Sequence, residues 1–103
     1  MRTVTACRLD EIADGTCRRV MIEKRPVALV RCGDEVYALL DSCPHFGGPL
    51  SGGAVSVKRR EIACPWHRFR FHLASGASVT NPELLAQTFA VRVEGGEVLV
   101  SLP

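Results

Sequence analysis

The sequence predicts an all-β fold, an antiparallel sandwich or incomplete barrel, on three observations. Roughly nine short stretches carry the two-residue alternation or apolar run of a strand. Turn-forming clusters such as Gly33-Asp34-Glu35 and Glu94-Gly95-Gly96 separate them at short intervals. Almost no segment keeps a helical period for long. At 103 residues, with 47% hydrophobic and 23% charged residues, the chain is expected to form one soluble domain with a modest core.

Taken in order, 3–7 alternates and forms the first strand, and 9–15 is one loose helical turn closed by Gly15. Strands follow at 17–22 and 27–31, separated by a turn around Lys24-Arg25-Pro26. A hairpin at 33–35 leads into Val36-Tyr37-Ala38-Leu39-Leu40, apolar enough to be buried on both faces. The stretch 41–49 cannot be regular, because Pro44, Gly47, Gly48 and Pro49 would interrupt any ladder. Next, 50–57 turns at Gly52-Gly53 into a short strand, and 61–63 forms another. In 68–73 the alternation is strict, placing Phe69, Phe71 and Leu73 on one side as a small core and His72 with Arg68 and Arg70 on the solvated side. Asn81-Pro82-Glu83 opens a loop or turn, after which 87–93 and 97–102 form the closing hairpin.

The chemistry concentrates between residues 43 and 67. Two short arms, Cys43-Pro44-His45 and Cys64-Pro65-Trp66-His67, stand eighteen residues apart, and each offers one thiol and one imidazole. A structural zinc ion accepts any four donors, and its arms tend to pair Cys with Cys and His with His. A two-iron cluster with thiolates on one iron and imidazoles on the other needs arms that reach both, so each must carry one of each ligand. A zinc or other mononuclear site is the alternative reading, and a redox Cys pair has no Cys-x-x-Cys to support it.

With its neighbours Phe46-Gly47-Gly48-Pro49-Leu50, Arg70-Phe71, Leu73 and Ser75-Gly76, this pattern resembles the Rieske iron-sulfur family. The resemblance implies a β base domain, about 1–40 and 77–103, with a cluster-binding subdomain inserted at about 41–76. It also implies one 2Fe-2S cluster on Cys43, His45, Cys64 and His67. Two ferric ions, two sulfides, two thiolates and two neutral imidazoles sum to zero charge, so an electron enters at less electrostatic cost than in a four-thiolate cluster. High-potential relatives carry a loop disulfide and hydroxyl donors. The matching positions here are Gly48 and Trp66, with Phe69 and Phe71 in place of the hydroxyls, so the low end near about −150 mV is expected. Trp66 is read as a packed aromatic that could also shield the cluster.

As the resemblance implies, the chain is not an enzyme but a one-electron carrier between a flavin-containing NAD(P)H reductase and a terminal oxygenase. The alternative is a small Rieske-type subunit of an assimilatory nitrite reductase, and a zinc-binding interaction module is a third reading. With His45 and His67 used, only His72 is left, too few for the two-histidine, one-carboxylate iron site of the large oxygenases, which argues against catalysis by this chain alone. Docking is expected at Pro44, His45, Phe46, Pro65, Trp66 and His67, with Arg68 and Arg70 at the rim.

The formal net charge of +2 does not argue for nucleic acid, and no run is long enough to cross a bilayer. Between residues 43 and 73, however, five bases face one acid, a local charge of +4, whereas eight bases and ten acids leave −2 elsewhere. That asymmetry would steer an acidic partner. A cytoplasmic monomer with reduced thiols is expected, with Cys7, Cys17 and Cys32 as small hydrophobes in strands.

Overall fold

The computed structural model describes residues 2–44, 47–66, 68–81 and 83–103. Nine strands and two 3-10 turns occur among them: β1 (Arg2–Arg8), β2 (Cys17–Ile22), β3 (Arg25–Cys32), β4 (Glu35–Leu40), β5 (Val55–Ser56), β6 (Glu61–Ala63), β7 (Arg70–His72), β8 (Thr88–Glu94) and β9 (Glu97–Leu102). The 3-10 turns are Leu9–Glu11 and Leu50–Gly52. All pairings are antiparallel. Six strands form one sheet in the order β1-β9-β8-β4-β3-β2, and the remaining three form a second sheet in the order β5-β6-β7. The large sheet curls so that its edge strands approach, and an ion pair between Arg2 and Glu23 closes that seam.

Strand alternation divides the interior into two cores. Val27 and Leu29 of β3 and Val36 and Ala38 of β4 point into the curl, where they meet Phe89, Val98, Val100 and Leu102. Their neighbours Val30, Cys32 and Leu39 point the other way, onto Leu50, Ile62, Phe71 and Leu73. The central strands therefore bury both faces, which accounts for the unbroken apolar run in β4. Arg60 ties the small sheet to the β3–β4 hairpin. Its guanidinium donates to Glu35 Oε1 at 3.1 Å, and its carbonyl accepts from the Leu73 N–H at 2.9 Å.

Two strands, β3 and β7, start two residues away from the sequence reading. The β2–β3 connection is a two-residue turn at Glu23 and Lys24, both at positive φ (49° and 69°), so Arg25 and Pro26 already belong to β3. Proline needs no N–H partner, and Pro26 contributes only its carbonyl, which accepts from the Asp41 N–H at 2.8 Å. β7 is confined to Arg70–His72 because Arg68, at φ 59°, leaves extended geometry. Phe71 and Leu73 are nevertheless fully buried, and Phe69 packs beside them.

Phe71 is 0% exposed at the centre of the second core. Phe71→Ala should cost about 3–5 kcal/mol, measured by urea denaturation, with the larger core's strands still forming at low denaturant.

Candidate metal centre

Two six-residue loops rise from the second core with the same backbone wiring. In the first, the Cys43 N–H donates to the Gly48 carbonyl at 2.8 Å, and the Gly47 N–H returns to the Cys43 carbonyl at 2.7 Å. In the second, the Cys64 N–H donates to the Phe69 carbonyl at 2.8 Å, and the Arg68 N–H returns to the Cys64 carbonyl at 2.8 Å. Each loop has cysteine first, proline second and a positive φ fifth: 76° at Gly47 and 59° at Arg68. Counting from the cysteines pairs Arg68 with Gly47, the one clue in the sequence to its unusual backbone. In equal loops, the sequence sets His45 third and His67 fourth.

The cysteines beginning these loops are 2% and 1% exposed, and none of the five cysteines is in a disulfide. The loops meet at Gly48. A Cβ there would lie 2.9 Å from Trp66 Cδ2 and 3.2 Å from Cys64 Sγ, so only glycine allows this approach. These are the two positions matched by sequence to a bridging disulfide in high-potential relatives, and here a glycine lies under an indole. Trp66 is 58% exposed, which corrects the expectation of a packed aromatic: one ring edge rests on Gly48 and the rest faces solvent.

His45, Phe46 and His67 lie outside the described residues. Among those described, no group of three metal-binding side chains converges, so the structure supplies the two thiol positions of the anticipated set. A buried Cys64 thiol against a cradle that one methyl group would fill, with a second buried thiol, Cys43, in the same core, fits a compact sulfur-ligated group.

Around the loops, Pro44, Pro65 and Arg68 are exposed. Arg70 is not a free rim cation, because its guanidinium donates to Glu61 Oε1 at 3.2 Å. Lys58, Arg59 and Arg68 enter no ion pair among the described residues. His72 is exposed, as its register predicts. A cleft of about 430 Å³ opens where β4 and β8 diverge, lined by residues including Asp34, Tyr37, Phe89 and Arg92, and neither loop contributes to it.

Of the remaining cysteines, Cys32 is buried, while Cys7 and Cys17 are half-buried. Burial, reinforced by Glu11, raises the Cys7 thiol. Burial and then the Asp41 charge push Cys17 up to about 12 from an ordinary 9.0. Both stay protonated near neutrality, as small hydrophobes should.

Comparison with known proteins gives the decisive observation: the Rieske [2Fe-2S] domain description matches residues 2–97. The chain belongs to the Rieske [2Fe-2S] domain family. Its cofactor is one Rieske-type 2Fe-2S cluster. The chain is 32% identical over 100 residues to the ferredoxin component of the naphthalene 1,2-dioxygenase system of Pseudomonas aeruginosa, covering 96% of this chain and 94% of that one. It is 33% identical to mouse apoptosis-inducing factor 3 over 97 residues, 93% of this chain, but spans only 16% of that protein's length. Among solved structures, the ferredoxin of carbazole 1,9a-dioxygenase from Nocardioides aromaticivorans superimposes with a TM-score of 0.93 at 31% identity, covering both chains fully. A structure described as a complex of reduced oxygenase and oxidized ferredoxin in carbazole 1,9a-dioxygenase matches at 0.85 and 33%, covering 95% of this chain and 100% of that one. A putative nitrite reductase small subunit matches at 0.88 and 28%, covering 99% and 100%. Among the described residues, no helix is long and apolar enough to cross a membrane.

Two predictions follow from this Rieske site. Gly48→Ala should lower iron content per chain to less than half, read by metal analysis, because the added methyl would press on Trp66 and Cys64 Sγ. The raised Cys17 pKa means the folded state holds the proton more tightly than the unfolded one. Its stabilisation is intact below pH 9.0 and is lost as pH climbs toward about 12. Thermal melts of Cys17→Ser should therefore fall less steeply than those of the parent over that interval.

Proposed function

We propose that this chain is a one-electron carrier that accepts an electron from a flavin-containing NAD(P)H reductase and delivers it to a terminal oxygenase. The single observation that supports this best is the twin-loop site: equal loops, buried thiols and a glycine contact between them, in a chain as long as the oxygenase ferredoxins it resembles. Cys43, His45, Cys64 and His67 are the ligand set, within a subdomain spanning about residues 41–76. When bound, a Rieske cluster takes up and releases one electron without making or breaking a bond to substrate.

The chain's own residues do the rest. Loop backbones bonded to themselves hold the thiols in place through a charge change, and the core of Leu50, Ile62, Phe71 and Leu73 keeps water from the inner side. No loop disulfide is present, and phenylalanines stand where donors to the cluster would be, which favours a potential near about −150 mV. Pro44, Pro65 and Trp66 form an exposed apolar tip, and large exposed aromatics are suited to docking. Arg68, exposed in the second loop and in no ion pair among the described residues, adds positive charge there, complementary to an acidic partner face, while Lys58 and Arg59 lie in the β5–β6 turn at the other end of the small sheet. The carrier acts as a monomer in the cytoplasm. The likeness to a nitrite reductase small subunit supports a second reading, a permanently bound subunit, in which the purified chain would co-purify with a larger flavoprotein.

Anaerobically purified protein should be red-brown, with about two irons and two acid-labile sulfides per chain. Colourless zinc protein would sink the proposal. In stopped-flow reduction of a terminal oxygenase, Trp66→Ala should slow electron delivery by about tenfold, corresponding to about 1.4 kcal/mol, with the visible spectrum unchanged. The parent's rate should fall with rising salt, and Arg68→Gln should flatten that dependence.

A further inference from the structure

Residue 41 is a carboxylate with no exposed side-chain surface, beside the first cysteine loop. All its side-chain contacts are with donors. Ser51 N–H reaches Oδ1 at 2.7 Å, the Ser51 hydroxyl reaches Oδ2 at 2.5 Å, and Arg19 Nη1 reaches Oδ2 at 3.1 Å. Asp41 precedes the loop 43–48 and Ser51 follows it, so one carboxylate clamps both ends of the segment that begins with Cys43. Arg19, half exposed on β2, ties the clamp to the large sheet, and the Asp41 N–H bonds Pro26 of β3. A buried charge needs such partners, since leaving it unpaired costs several kcal/mol. The geometry of the loop alone does not require them: it closes through its own backbone.

We infer that Asp41 is a positioning residue that holds the Cys43 loop to the large sheet and, as a fixed buried negative charge, lowers the reduction potential of the centre. This rests on the electron-carrier reading above. The electron arrives as negative charge, and a carboxylate two residues from a ligand opposes its arrival through a medium that screens it poorly. Arg19 opposes the effect, and its solvent exposure weakens it. The field of Asp41 is felt elsewhere in the same core, where it helps hold the Cys17 thiol protonated.

The test is a redox titration of the purified holoprotein with visible and EPR detection, on the parent, Asp41→Asn, Arg19→Gln and Ser51→Ala. Asp41→Asn keeps the size and removes the charge, so the midpoint should rise. Arg19→Gln removes the offsetting charge, so the midpoint should fall, by less. Ser51→Ala leaves both charges but loosens the clamp, and should speed loss of the visible absorbance in the presence of a chelator. A merely structural clamp would not produce shifts of opposite sign. Should Asp41→Asn fail to retain the cluster, Arg19→Gln decides alone: a fall supports the inference and a rise or no change overturns it. A parent with normal iron and spectrum but wrong-signed shifts would overturn this inference and leave the carrier reading standing, whereas a parent without iron would overturn both.

Discussion

The structure depends on holding two cysteines, from segments distant in sequence, buried in one core without a covalent bridge. The solution is a pair of loops that each satisfy their own backbone. In both, the cysteine amide and carbonyl are engaged within the loop, so no polar main-chain group at the thiol is left buried without a partner. Closure demands a left-handed residue at the fifth position. Glycine adopts it freely at 47, whereas Arg68 does so against a steric cost of about 1 kcal/mol. That an arginine is held there despite the cost agrees with a use for its charge beside the loop.

Below the loops, the two-sided burial of β3 and β4 is what makes the platform rigid. A sheet covered on one face only could flex toward solvent. Here Leu39 and Val30 press upward on Phe71 and Ile62 while Val27 and Leu29 press into the curl. The small sheet is too short to be stable alone, three strands of two or three residues. It exists because Phe71 and Leu73 are sandwiched and because the Arg60 guanidinium links it to Glu35 of the β3–β4 hairpin. The loops therefore inherit their order from the large sheet.

Much of this was legible in the residues. Alternation located every strand to within a few positions, since apolar side chains facing a core must recur every second residue. The mixed Cys and His arms pointed to the site, and the family resemblance pairs Gly48 with Trp66, which the fold brings into contact. What sequence could not show was local geometry decided by tertiary contacts. Pro26 enters β3 because Asp41 uses its carbonyl, and Arg68 breaks β7 because the Cys64 loop must close. The Asp41 clamp was likewise hidden, as it joins residues from β2, the end of β4 and a 3-10 turn. The placements of His45 and His67 fall outside the described residues.

Charge shows most clearly what folding adds to composition. The five bases between residues 43 and 73 look alike in sequence, yet the fold sorts them. Arg60 and Arg70 are tied to Glu35 and Glu61 and serve the framework, while Lys58, Arg59 and Arg68 face solvent and enter no ion pair among the described residues. Of the second group only Arg68 belongs to a cysteine loop, next but one in sequence to the exposed indole that lies on the contact between the loops, whereas Lys58 and Arg59 sit in the β5–β6 turn at the other end of the small sheet. On the inner side the sign reverses, with Asp41 buried at the foot of the first loop. An electron placed between them is attracted toward the solvent face and repelled from the interior. A buried carboxylate on the inner side and an exposed guanidinium on the outer side thus set up a field that runs across the first and second loops.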